Sequence, residues 1–378
     1  MDLFSSATKI EERLVRSATQ KRIPLGGAFE LLPLCNMNCK MCFLRLSSEE
    51  LKARGRLRTV EEWLALAEEA KKEGLLFLLL TGGEPFLYPD FKELYTKLSE
   101  MGFHITLNTN GTLINEEYAD LLQKYPPRRV NITLYGSSRE IYRELCGNAN
   151  AFDQVMKAID LLKQRNVAVK LNGSLTRYIM DNLGEIQKIA HDLEIPLEVD
   201  HYMFPCSRKG TVPFDKGSRL TPKQAAEGFM KIRKDELAEE DFFRLACAMS
   251  DCYQKCQDTS DPQDMNDGEA EALPCRAGRS SFWITWEGKM SMCVFLENMS
   301  VPVFETGFVE AWKKIQEYRD KIQMPKACTQ CEKRHFCTVC GACAYTETGE
   351  FDQKPEYMCE LTQEKLRLMD EYVKERRV

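Results

Sequence analysis

Three cysteines crowd one short run, Leu34-Cys35-Asn36-Met37-Asn38-Cys39-Lys40-Met41-Cys42-Phe43. Thiolates spaced x3 and x2 can hold three irons of a [4Fe–4S] cube and leave the fourth iron open. An open position is what a catalytic metal centre needs, whereas a structural site is closed. The competing reading is a zinc loop completed by a distant fourth ligand. The chain has sixteen cysteines: three between 35 and 42, Cys146 alone, and twelve from 206 onward. In a long chain without an export signal, metal explains them better than disulfides.

The elements that position this loop follow from periodicity. Short apolar runs cover 28–34, 75–80, 104–108, 130–134, 167–175 and 197–202. Amphipathic stretches over 60–72, 90–101, 116–124, 151–164 and 183–192 lie between them. Such alternation predicts parallel βα units, closed as a barrel or open as a doubly wound sheet. Either way, ligands sit at the carboxyl ends of the strands. The cysteines directly follow the first run, and Thr81-Gly82-Gly83-Glu84-Pro85 follows the second. The two glycines permit close backbone approach, and Glu84 offers an anionic acceptor to an ammonium.

The Cys35–Phe43 run and the Gly82-Gly83-Glu84-Pro85 segment resemble the radical S-adenosylmethionine (radical SAM) superfamily. The resemblance spans residues 28 to about 200 and implies an α/β fold, a partial (β/α)6 barrel. It implies reductive cleavage of S-adenosylmethionine at the Cys35, Cys39 and Cys42 cluster, giving a 5′-deoxyadenosyl radical that abstracts hydrogen from a substrate. Phe43, Gly82, Gly83 and Glu84 would then bind the cosubstrate, Glu84's segment at the methionine amino group. Asn108-Thr109-Asn110-Gly111 is similar to a family segment that includes Asn110. Thr133 matches a ribose contact, Asn172 lies near the adenosine site, and Arg143 lies near the methionine carboxylate. Asp200, His201, Tyr202 and Tyr135 end strands at the predicted mouth. His201 is a candidate proton carrier.

Beyond residue 203 the period breaks. Cys275 and Cys293 flank Gly288, and Cys328-x2-Cys331-x5-Cys337-x2-Cys340 and Cys359 follow. This resembles the SPASM extension, which holds two auxiliary [4Fe–4S] clusters. The resemblance implies one cluster on Cys328, Cys331, Cys337 and Cys359, and another on Cys275, Cys293 and Cys340. Cys343 is an alternative to Cys340. Cys252 or Cys256 could supply a fourth ligand to the second cluster, or that position is open to substrate. The segment has too few apolar residues for its own core, so clusters would have to hold it together. The expected organisation is a helical extension over 1–27, the partial barrel over 28–203 and a linker with helices over 204–270. A SPASM domain over 271–360 and a terminal helix over 361–378 complete it.

Net charge is −6, which calls for neither nucleic acid nor an anionic membrane. The N-terminal thirty residues lack a signal-peptide core, so a cytoplasmic protein is expected. The SPASM resemblance implies a peptide substrate, in a ribosomal peptide maturase forming a thioether or C–C crosslink. The alternatives are an anaerobic sulfatase-maturing enzyme and an enzyme acting on a sugar or tetrapyrrole. Val294 after Cys293 counts against the sulfatase-maturing group, which usually carries aspartate there. Implied partners are a flavodoxin or ferredoxin as electron donor and a separate leader-binding protein. Of two other classes, an electron carrier would not need the Gly82–Pro85 segment beside an open three-cysteine site, and a zinc-stabilised binding module would be colourless.

Overall fold

A computed structural model describes residues 9–205, 208, 216–258 and 273–377. After helix α1 (Lys9–Lys21), six parallel strands run in order: β1 (Gly26–Glu30), β2 (Phe77–Thr81), β3 (His104–Thr109), β4 (Arg129–Thr133), β5 (Val169–Ser174) and β6 (Leu197–Asp200). The connections carry α2 (Ser48–Arg54), α3 (Val60–Lys72), α4 (Phe91–Glu100), α5 (Glu116–Lys124), α6 (Arg139–Cys146), α7 (Ala151–Gln164) and α8 (Leu183–Leu193). The predicted runs thus fall on strands and helices. α2 and α6 are additions that the periodicity did not disclose, each too short to show it.

Local chemistry starts these helices. Thr59 caps α3 by accepting from Glu62 N–H, while Glu62 accepts from Thr59 N–H at 2.8 Å. Such a reciprocal cap satisfies two donors that the first turn would orphan. The apolar sides of α3 and α4 bury Trp63, Leu66, Leu94 and Leu98 in the core, where Trp63 stacks on Phe29 of β1 at 4.8 Å.

The strands alternate sharply. Ile105, Leu107, Val130, Ile132, Leu171 and Val199 face the helices and are buried. Thr106, Asn108, Arg129, Asn131, Thr133, Lys170, Asn172, Ser174, Glu198 and Asp200 take the opposite face, the concave side of the partial barrel. The register sets them side by side: Asn108 beside Asn131, Thr133 beside Asn172, Ser174 beside Asp200. The interior lined by β3 to β6 is therefore polar, and the row of Thr106 continues into apolar Leu79 and Ala28.

The C-terminal third departs from expectation. After α9 (Pro222–Glu236) and α10 (Glu239–Asp258), strands β7 (Ser281–Ile284), β8 (Lys289–Ser291) and β9 (Ser300–Pro302) join the same sheet. β7 pairs parallel with β1, Ala28 beside Trp283. Phe282, Ile284, Met290, Val301 and Phe308 are buried in the core the barrel uses. This region thus has a core after all, because it borrows that of the barrel. Helices α11 (Val303–Thr306), α12 (Phe308–Asp320), α13 (Lys326–Thr329), α14 (Gly341–Thr348) and α15 (Glu356–Arg377) follow. α15 starts five residues before the predicted Leu361 and packs on α9 and α10 around Phe229, Phe242, Met249 and Met369. Among the described residues no helix is long and apolar enough to cross a membrane.

A buried ion pair fastens the β1–β7 seam. Glu30 is fully buried and accepts two bonds from Arg208, at 2.6 and 2.9 Å, and one from Trp283 Nε1 at 3.1 Å. Arg208 N–H also donates to the Phe43 carbonyl at 2.7 Å, tying the seam to the cysteine loop. Glu30→Ala removes the two-bond partner of a buried guanidinium and leaves it Glu297 at 3.3 Å. It is expected to cost about 3–5 kcal/mol of unfolding free energy, read by urea denaturation. A loss under about 1 kcal/mol, the range of an exposed pair, would contradict this account.

Candidate active site

The cysteine loop leaves β1 without regular structure, so other backbone must hold it. Gly83 N–H donates to the Leu32 carbonyl at 2.7 Å and Glu84 N–H to that of Leu34 at 2.9 Å. A Cβ on Gly82 would stand 2.6 Å from the Leu32 oxygen, and one on Gly83 2.2 Å from the Leu34 oxygen. The close approach these glycines permit is therefore to the cysteine loop itself. On its other side, Asn38 N–H donates to the Cys146 carbonyl and Lys40 N–H to that of Leu145, at the end of α6.

So held, the three thiols feel one another. Cys35 is pushed up to about 12, by burial first and then by Glu84, Cys39 and Cys42, while Met37 N–H opposes the shift. Cys35 Sγ accepts from Met37 N–H at 3.4 Å, and Cys42 Sγ from Arg45 N–H at 3.2 Å. Cys39 is buried against the Cys146 thiol and the Tyr135 hydroxyl, both hydrogen-bond partners of its sulfur. Cys146 is buried and ends α6. Its placement beneath Cys39 is decided by the α6 contact.

Glu84 is fully buried and its carboxylate accepts from Phe86 N–H (3.2 Å), Thr109 Oγ1 (2.8 Å) and Asn110 N–H (2.8 Å). Burial lifts it to about 7 against those three donors. It thus braces the end of β2 against the end of β3. Asn110 carries the brace onward, donating to Asn36 Oδ1 at 2.9 Å, with Cys35 Sγ 3.6 Å from the same nitrogen. Thr109 and Asn36 are parts of this brace that the sequence reading did not single out.

Other predicted residues are spread more widely. Thr133 and Asn172 adjoin on the polar face. Arg143 is exposed on α6, and the Phe43 ring lies 6.1 Å from Phe295. His201 is not brought near the three thiols. Its ring packs 5.2 Å from Phe229 of α9, and burial, then Lys365 and Arg233, push it down to about 3. At neutral pH it is an uncharged core group.

The C-terminal thiols form two sets. Cys293 feels Cys340 and Cys275; Cys328 feels Cys359, Cys337 and Cys331. Cys343 is buried beside Cys340, its sulfur 3.2 Å from the Tyr202 hydroxyl, which itself donates to Glu347 at 2.6 Å. Cys252 Sγ lies 3.9 Å from the Glu332 carbonyl, next to Cys331 and thus beside the second set rather than the first. The Cys256 side chain, Cys206 and residues 259–272 lie outside the described residues. A cavity of about 420 Å³ lined by Pro205, Arg219, Leu220, Thr221, Thr346 and Glu347 opens beside Tyr202.

Comparison with known proteins bears on the strand–helix part of the chain. Residues 29–193 match the radical SAM superfamily. The chain carries a radical SAM domain. That family implies a [4Fe–4S] cluster and S-adenosylmethionine. The donor set suits such a cluster: three soft thiols with mutual Coulomb contact on one pinned loop. No group of three or more His, Cys, Asp or Glu side chains among the described residues closes on a single metal ion. Thiolates of a cube ligate different irons, so they stand farther apart than the ligands of one ion.

Relatives of the chain include an AdoMet-dependent heme synthase of Methanosarcina barkeri, 23% identical over 87% of this chain and 95% of that one. A PqqA peptide cyclase of Granulibacter bethesdensis is 24% identical over 87% of this chain and 85% of that one. Among solved structures, Streptococcus suis SuiB bound to precursor peptide SuiA is similar at TM-score 0.64 and 18% identity, covering 92% of this chain and 79% of that one. anSMEcpe with bound AdoMet and a peptide is similar at TM-score 0.66 and 20% identity, covering 93% and 98%. These structures share the fold of this chain.

Glu84 yields a pH prediction for the metal-free protein. Its folded pKa of about 7 exceeds the ordinary 4.5, so the folded chain binds the extra proton between those values. The stability contributed is full below about 4.5 and is lost as pH rises through 7. Melting temperatures from pH 5 to 8 should fall less steeply in Glu84→Gln than in the unaltered protein. Equal slopes would mean that another group titrates.

Proposed function

We propose that this chain is a radical SAM enzyme that cleaves S-adenosylmethionine and abstracts hydrogen from a peptide substrate, as a ribosomal peptide maturase forming a thioether or C–C crosslink. The observation that carries the chemistry is the thiol trio Cys35, Cys39 and Cys42, pinned at the carboxyl end of β1 over an interior that β3 to β6 make polar. When bound there, the cluster supplies one electron to the sulfonium, giving methionine and a 5′-deoxyadenosyl radical.

The protein's own residues bind, orient and shield. Cys35, Cys39 and Cys42 hold three irons and leave one for the amino acid end of the cosubstrate. Glu84, braced by Thr109 and Asn110, acts through the backbone: it fixes the Gly82–Gly83 turn against the cysteine loop. Asn110 and Met37 N–H donate to Cys35, Arg45 N–H to Cys42, and Tyr135 lies on Cys39, which tunes the cluster through its sulfurs. Thr133 and Asn172, side by side on the polar face, serve the nucleoside. Cys328, Cys331, Cys337 and Cys359 hold one auxiliary cluster. Cys275, Cys293 and Cys340 hold the other, with Cys343 as its nearest further thiol. A flavodoxin or ferredoxin would supply electrons.

Peptide as the substrate class is supported by two proteins of the same fold whose solved structures hold peptides. A second reading is favoured by sequence: AdoMet-dependent heme synthases are 23% and 26% identical over 87% and 85% of this chain. On that reading the substrate is a tetrapyrrole.

Anaerobically reconstituted protein should carry about twelve irons for three clusters and release 5′-deoxyadenosine only with a reductant. Alanine at Cys35, Cys39 and Cys42 should abolish that release. Deuterium transfer into 5′-deoxyadenosine should occur from a labelled precursor peptide and not from a labelled tetrapyrrole. The reverse pattern would select the second reading, and release unaffected by the triple substitution would defeat both.

A further inference from the structure

Lys365 of α15 is 2% exposed. Its ammonium donates to the Phe336 carbonyl at 3.1 Å and lies 4.9 Å from the centroid of the Phe229 ring. No carboxylate among the described residues pairs with it. On its own helix Glu364 and Glu371 pair with Arg367, Asp370 with Lys374 and Glu356 with Lys354. Glu236 on α9 pairs with Arg233. The other groups packed around Phe229 add no negative charge. Arg233 lies 5.5 Å from that ring, and His201, 5.2 Å from it, is neutral.

A buried ammonium is costly unless an anion faces it, and one carbonyl with a ring face offsets only part of that cost. The described carboxylates do not supply the anion. Phe336, whose carbonyl takes the ammonium, directly precedes Cys337, and a charged Cys337 sulfur would favour the Lys365 ammonium. Cys337 belongs to the set with Cys328, Cys331 and Cys359. Arg334 acts on Cys328, and Lys354 acts on Cys359, so cations converge on these sulfurs from several elements. Four thiolates on a [4Fe–4S] cube leave a net negative charge, which one-electron reduction increases.

We infer that Lys365 is the buried counter-ion of a cluster held by Cys328, Cys331, Cys337 and Cys359, raising its reduction potential and helping to retain it. This rests on the proposed ligand set. Lys365 acts through the cluster's field and is a positioning residue, not a catalytic one.

The test compares full-length unaltered protein with Lys365→Met, Lys365→Gln and Lys365→Arg, each reconstituted anaerobically and reduced with dithionite. Three readouts are taken: bound iron, the midpoint potential of each cluster by electron paramagnetic resonance, and melting of the metal-free form. In the Met and Gln variants one auxiliary signal should shift to lower potential and be lost more readily to chelator. The Cys35–Cys42 cluster signal should stay put, and metal-free melting should hold or rise because an uncompensated charge is gone. Arginine should restore the potential. Unchanged potentials with a full iron complement, or metal-free melting that falls in both neutral variants, would make Lys365 purely structural and overturn the inference. Alanine at Cys328 and Cys337 with no loss of iron would overturn the ligand set, and the counter-ion with it.

Discussion

A loop of irregular backbone must hold three thiols in fixed relation, and that constraint governs the rest of the molecule. No helix or strand hydrogen bonds are available to it, so its polar groups find partners outside. Two pairs of backbone bonds supply them, one from the Gly83–Glu84 turn and one from the end of α6. The glycines allow the first contact, because any side chain there would occupy the space of the Leu32 and Leu34 carbonyls. Glu84 then locks the turn to the end of β3 with two hydrogen bonds, from Thr109 and Asn110, that no solvent competes for. The thiols are placed by a rigid frame rather than by their own segment.

The same frame links the cysteine loop to the distant part of the chain. β7 lies beside β1, and the Glu30–Arg208–Trp283 cluster spans that seam. Arg208 is the joint: its guanidinium meets β1 and Glu297, and its backbone meets Phe43. The β1–β7 seam and the cysteine loop are therefore joined by hydrogen-bonded groups. Tyr202 makes a comparable link at the other edge, where β6 ends, through Glu347 and Cys343 of α14.

Electrostatics divides the two thiol regions. Around Cys35, Cys39 and Cys42 the donors are mostly neutral: backbone N–H groups, an amide and a tyrosine. Around Cys328, Cys337 and Cys359 the nearby charges are mostly cations, Arg334, Lys365 and Lys354, with Glu356 beside Cys359. Fixed positive charge favours the reduced state of any negatively charged group it faces, so the two regions provide different electrical surroundings.

Much of this was legible in the sequence because it is local. Cysteine spacing, the strand–helix period and the Thr59–Glu62 cap each depend on residues a few positions apart, and local sterics and hydrogen bonding decide them. The polar alternation of β3 to β6 was present too, but only the parallel register made it a continuous surface. Other matters were settled by contacts between residues far apart in the chain. Glu84's oxygens were committed to Thr109 and Asn110, His201 was turned into the α9 packing, and Cys252 was set beside Glu332. The C-terminal region joined the barrel sheet through β1 and β7, some 250 residues apart, and shared its core. Periodicity records which side of an element is apolar, but which neighbour covers that side is a property of the whole folded chain.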